Sequence, residues 1–178
     1  MATHDIASAL RRVEATLKRR PRAGLHDDAP ATAHWAGGLR VVTRHADGSE
    51  FTTDMPAEFG GRDDRPTPGW LFRAGLASCA VTRLAMAAAA EGIELDTLEV
   101  RACSRSDARG VFGLREPDGC IVPAGPAELR LEVRVGAAGV APERLRALVE
   151  DSQRCSPVSQ AARDALPLEL RIEVVDAG

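Results

Sequence analysis

The stretch Pro68-Gly69-Trp70-Leu71-Phe72-Arg73-Ala74-Gly75-Leu76-Ala77-Ser78-Cys79 opens the most apolar element of the chain, and its reading decides the fold. Pro68 suits the first turn of a helix, where its missing N–H costs nothing. The helix is expected over residues 69–90, with Gly92 as its stop. Leu71, Phe72, Gly75, Leu76, Cys79, Leu84 and Met86 leave little polar surface, and only Arg73, Ser78, Thr82 and Arg83 interrupt it. A helix that is apolar nearly all round belongs at the centre of a fold. Its length of about 22 residues also suits a membrane span. The two arginines and the soluble surroundings argue against that.

Outward from this helix the pattern alternates. Upstream, residues 33–46 read as a strand carrying Leu39, Val41 and Val42. Ala46-Asp47-Gly48-Ser49 marks a tight turn, and residues 50–55 return as the second strand of a hairpin. Residues 56–68, with three prolines and two glycines, read as an irregular loop. Downstream, Leu98, Val100 and Ala102 share one face of a strand over 95–103, and residues 104–126 are loop-rich. Leu129, Leu131, Val133 and Val135 face inward on a strand over 128–135. Pro142 opens a helix that runs towards Gln153, a short helix covers 159–165, and residues 168–175 (LELRIEVV) read as a last strand. At the other end Ile6, Leu10, Val13 and Leu17 make one stripe of a helix over 5–20, started by Asp5 as N-cap. Residues 21–30 read as a polar linker. Antiparallel pairs mixed with helices make an α+β fold. The expected organisation is a helical extension and linker over 1–30 and one domain over 31–178.

Composition narrows the function. The 178 residues are 44% hydrophobic and 28% charged, the balance of one globular domain. With 3% aromatic residues and no Tyr, the core must come from Leu, Val and Ala. A net charge of −3 with interspersed signs gives no footprint for nucleic acid, and the arginines of residues 11–22 read as a solvated helix face. The amphipathic N-terminus lacks the apolar core of a signal peptide, so a cytoplasmic protein without membrane attachment is expected. Cys79, Cys103, Cys120 and Cys155 offer no CxxC, which disfavours zinc. The four histidines lie within the first 45 residues in no ligand spacing. In an unexported chain these cysteines are expected to be reduced.

Two of the cysteines have informative neighbours. Leu71-Phe72-Arg73-Ala74-Gly75-Leu76-Ala77-Ser78-Cys79, the later Cys155-Ser156-Pro157-Val158-Ser159, and the loop Met55-Pro56-Ala57-Glu58-Phe59-Gly60-Gly61 together resemble the OsmC/Ohr family, named for osmotically induced protein C and organic hydroperoxide resistance protein. The order of elements from the first hairpin to the last strand agrees with it. The resemblance implies an intertwined homodimer, with antiparallel sheets wrapped around paired central helices. It implies a thiol peroxidase acting on small organic hydroperoxides, with Cys79 as the attacking thiol and Cys155 as the resolving one. No bound cofactor is implied, and the reductant would be an external dithiol such as a dihydrolipoyl group.

The chemistry fits those residue types. The thiolate is the nucleophile, and an ordinary thiol near pKa ~8.5 is mostly protonated at neutral pH. A helix N-terminal region and a nearby guanidinium favour the charged form. Attack on the O–O bond gives a sulfenic acid, which a second thiol converts to a disulfide. Trp70, Leu71, Phe72 and Leu76 would supply an apolar pocket for the hydroperoxide. The bland alternative is that Cys79 is simply core, since free Cys is among the most buried residue types.

The chain departs from the family pattern at three points. Gly69 stands where peroxidase members carry a Glu that orients a catalytic Arg. Arg40 lies one step from the family's Arg position, and a one-residue slip on a strand reverses the side chain's face. Arg40 is therefore the candidate cation, with Arg62 and Arg73 as substitutes. Ser156 separates the second Cys from its Pro, where many members have Cys-Pro directly. These departures favour a rival reading in which the fold binds a small apolar ligand without turnover. A thiol-dependent hydrolase is a third reading, disfavoured because no His lies near either cysteine in sequence.

Overall fold

Thr67 starts the central helix: its Oγ1 accepts a hydrogen bond from the Trp70 amide at 3.1 Å, and Pro68 follows in the first turn. The computed structural model describes residues 3–164 and 166–175. In chain order the elements are α1 (Thr3–Arg19), β1 (Thr32–Trp35), β2 (Val41–Arg44), β3 (Glu50–Thr53), α2 (Pro68–Ala90), β4 (Thr97–Arg105), β5 (Glu128–Gly136), α3 (Pro142–Arg154) and α4 (Pro157–Arg163). Single 3-10 turns lie at Pro21–Gly24, Ala57–Phe59 and Ala108–Phe112. The fold is α+β, as the sequence predicts.

The core forms where three apolar faces meet. Leu84 and Ala88 of α2 and Leu148 of α3 are each about 1% exposed. Leu98 of β4 and Val133 and Val135 of β5 close over them. The register pairs Leu98 with Val135, Val100 with Val133 and Ala102 with Leu131, so the alternating apolar residues of both strands share one face. Cys103 falls opposite Arg130 on the other face. Gly92, with φ +70°, lets the chain leave α2 and turn back into β4. Along α2 the buried positions Leu76, Ala80, Leu84 and Ala88 recur every four residues. By length and composition α2 would cross a bilayer, yet within this chain it lies against β4, α1, α3 and α4. Only 22% of its most apolar window is buried there, which leaves its other flank without cover.

The first hairpin departs from the sequence reading. Residues 33–46 form two strands rather than one, because Gly37 and Gly38 both adopt positive φ (94° and 59°) and reverse the chain. Trp35 Nε1 donates to Gly38 O at 2.9 Å across this turn. β1, β2 and β3 then make a three-stranded antiparallel sheet. The expected turn at residues 46–49 joins β2 to β3; the Ser49 amide hydrogen bond, with help from His45, pulls the Asp47 carboxyl down to about 2.

The ends also differ. Asp5 sits in the first turn of α1 rather than before it. The expected stripe of α1 is half used: Ile6 and Leu10 are half-buried, next to Ala7 buried at the C-terminal end of α2, while Val13 and Leu17 remain exposed. The 159–165 helix begins earlier, at Pro157, and Ala165 lies outside the described residues. The last strand expected over 168–175 does not form. Its residues pair with no strand among the described residues, and Leu168, Leu170, Ile172 and Val174 are exposed, Leu168 at 94%. An alternating apolar segment becomes a strand only when a sheet edge accepts its backbone.

Candidate active site

Cys79 lies three turns into α2 and is half-buried. Its Sγ stands 3.4 Å from the hydroxyl of Ser156, which is 0% exposed. Ser156 occupies the junction of α3 and α4, so two residues 77 apart in sequence meet at one sulfur. Cys155, the preceding residue, is the C-cap of α3 with an exposed side chain. All four cysteines are free thiols. The structure therefore brings Cys79 to the right junction, with Ser156 rather than Cys155 against the thiol.

The expected pocket residues separate. Leu76, one helical step before Cys79, is 3% exposed and lines a cavity of about 280 Å³ with Leu129, Leu131, Gln153, Ser159 and Ala162. Gln153 Oε1 accepts a hydrogen bond from Ser159 Oγ at 3.1 Å, while its Nε2 is buried with no partner among the described residues. Arg130 and Arg163 also line this cavity, and the Gln153 amide adds a donor for an oxygen beside its leucines. Trp70 instead stacks on Phe51 of β3, ring centroids 5.8 Å apart, and Phe72 is exposed. Leu71 is half-buried beside them.

The candidate cations are engaged elsewhere. Arg40 Nε and Nη2 donate to Asp54 Oδ2 at 3.2 and 3.1 Å, and Nη2 also donates to Asp64. The Asp64 hydrogen bond keeps the Arg40 guanidinium firmly charged, and the same bond holds the Asp64 carboxyl below the ordinary carboxylate range. Asp54 is buried and also accepts from the Met55 amide at 2.8 Å, so the pair staples β2 to the loop after β3. Arg73 Nη1 donates to Ser104 Oγ on the inner face of β4 at 3.1 Å. Arg62 is exposed. A side chain at Gly69 would point towards Arg73, whose Nη1 lies 3.8 Å from the Cβ position.

The loop over residues 56–67 is held by a close approach. At Gly61 a Cβ would sit 1.8 Å from the Met55 carbonyl oxygen, so only glycine fits. Sequence reasoning missed the two aspartates of this region, because Asp54 and Asp64 carry no motif and meet only through Arg40. It read Ser156 only as a residue separating Cys155 from Pro157 and gave its hydroxyl no role. Among the described residues no group of three or more His, Cys, Asp or Glu is placed to hold a metal.

Comparison with known proteins agrees with this architecture. The family model described as OsmC-like protein matches residues 61–171, more than half of the chain. The organic hydroperoxide resistance protein OhrB of Bacillus subtilis is 26% identical, with 78% of this chain and 93% of that one covered and a TM-score of 0.51. The OsmC-like protein of Mycoplasma pneumoniae has the same fold at 14% identity and TM-score 0.65, covering 79% and 91% of the two chains. An organic hydroperoxide resistance protein of Legionella pneumophila is 24% identical with TM-score 0.56, covering 78% and 91%. No curated protein matches the chain.

Proposed function

The chain belongs to the OsmC-like protein family, and from that premise we propose that it is a thiol peroxidase reducing organic hydroperoxides through Cys79 and Cys155. The observation that carries the reading is the Cys79 thiol, half-buried and set against Ser156, the residue next to Cys155. Similarity to proteins named for organic hydroperoxide resistance supports the substrate class.

The steps balance with these groups. The Cys79 thiolate attacks the terminal oxygen of ROOH, the O–O bond breaks, and RO⁻ takes a proton and leaves as ROH. Cys79 is left as a sulfenic acid. The Cys155 thiol then attacks that sulfur, forming a disulfide and releasing water. Cys155 reaches it when the last turn of α3 rotates its exposed side chain inward. An external dithiol, such as a dihydrolipoyl group, restores both thiols by exchange. In the cavity, Leu76, Leu129 and Leu131 would take the apolar body of the hydroperoxide, and Gln153 Nε2 would donate to one of its oxygens.

The working unit would be a homodimer. Trp35, Leu168, Leu170, Ile172 and Val174 are exposed, and α2 keeps an uncovered apolar flank. A second copy supplies both the sheet edge that the alternating segment lacks and the apolar face that α2 lacks.

The test is a count of free thiols before and after one equivalent of cumene hydroperoxide. The reading expects two of the four thiols to disappear in the native chain, none in Cys79→Ser, and one in Cys155→Ser. Unchanged thiols in the native chain would instead favour the rival reading, a silent binder of a small apolar ligand. That rival draws its support from Gly69 and from the engagement of Arg40 by two carboxylates.

A further inference from the structure

Ser156 is the N-cap residue of α4, yet its side chain makes no capping hydrogen bond. Serine is favoured at that position because its oxygen accepts from a first-turn amide. Here the hydroxyl is withdrawn from the helix, fully buried, and placed 3.4 Å from Cys79 Sγ. Its backbone is occupied in the ordinary way, the amide donating to Gln153 O and the carbonyl accepting from the Gln160 amide. A buried hydroxyl needs a partner, and the sulfur is the one this hydroxyl has been given.

We propose that Ser156 is the positioning residue of the redox centre: its O–H donates to Cys79 Sγ and holds that sulfur as the attacking thiolate. A hydrogen bond to the charged form favours it, and a fixed donor also selects one orientation of the Cys79 side chain. After attack on a peroxide the sulfur carries an oxygen, and the same O–H is placed to donate to it. Being a hydroxyl, Ser156 forms no sulfur–sulfur bond, so it keeps the sulfenic acid open until a thiol arrives. This deepens the peroxidase reading and rests on it for its catalytic consequence, while the contact itself is testable without peroxide.

The experiment follows alkylation of Cys79 by iodoacetamide across the neutral pH range, read on the Cys79 peptide by mass spectrometry. Ser156→Ala is expected to move the pH profile upward and slow alkylation at neutral pH by about threefold to tenfold, the size of one ordinary hydrogen bond. Ser156→Thr, which keeps the hydroxyl, is expected to restore the native profile. An unchanged profile in Ser156→Ala, or a Thr variant that behaves like the Ala variant, overturns the proposal. Proximity is read separately in a Ser156→Cys, Cys155→Ser chain treated with diamide, which takes up the two hydrogens released as two thiols close a disulfide. A crosslink between positions 79 and 156 is expected, and its absence overturns the geometry. If Ser156 passes both tests and cumene hydroperoxide consumes no thiol, the peroxidase reading fails and the Ser156 assignment stands.

Discussion

The two sheets of this molecule solve opposite problems. The β4–β5 pair lays an alternating apolar face on α2 and α3 and encloses Leu84, Ala88 and Leu148. Its apolar residues, Leu98, Val133 and Val135 among them, are half-buried against that core, whereas the β1–β2–β3 sheet packs none there and is tied down by the Arg40–Asp54 pair and by Phe51 stacking on Trp70. One region is stabilised by burial within the chain and the other by polar staples at its margin. Apolar residues that stay exposed in a regular pattern, such as Trp35 at 77%, are the surface that the proposed second copy would cover.

That contrast can be broken from either side. Leu148→Ala should be the most damaging change. A leucine this buried costs about 2–5 kcal/mol when truncated, seen as a lower urea midpoint at unchanged cooperativity. A paired Leu170→Asp, Ile172→Asp change should leave that core intact and abolish the proposed dimer, with a light-scattering mass of two chains for the native protein falling to one. A dimer that survives it would show that the C-terminal segment is not part of the interface. Trp35→Ala should move the stability of an isolated chain by no more than about 0.5 kcal/mol, and should weaken dimerisation measurably in dilution experiments. Asp64→Asn should have the smallest effect, visible only in acid. The Asp64 carboxyl lies below its ordinary value when folded, so its contribution is complete above about pH 4 and fades as pH falls through the folded value. The native chain should lose stability over that range more steeply than Asp64→Asn, with the two alike in slope above it.

The parts legible in the sequence were those whose partners lie within the chain. The apolar run from Pro68 to Ala90 fixed the central helix, and the alternation of Leu98 and Val100 against Val133 and Val135 fixed the packed sheet, since each pattern is completed by the other. The segment over 168–175 has an equally clear alternation and forms no strand, because alternation specifies a face and not a ladder partner. The Gly37-Gly38 reversal was readable as a two-residue turn, yet the surrounding Leu39, Val41 and Val42 suggested one continuous strand. In the site, Cys79 and its junction with the Cys155 region were legible from the motifs. Ser156 was legible only as a residue inserted before Pro157, because its contact with the sulfur depends on how α3 and α4 meet α2. The Arg40 staple needed three residues, one of them in the irregular loop, to be seen together.

The most direct trial is to treat the reduced protein with one equivalent of cumene hydroperoxide and map its cysteine peptides by mass spectrometry. A peptide pair joined through Cys79 and Cys155, absent in Cys79→Ser and replaced by an oxidised Cys79 in Cys155→Ser, is the predicted product. Four unmodified thiols after that treatment would contradict the account.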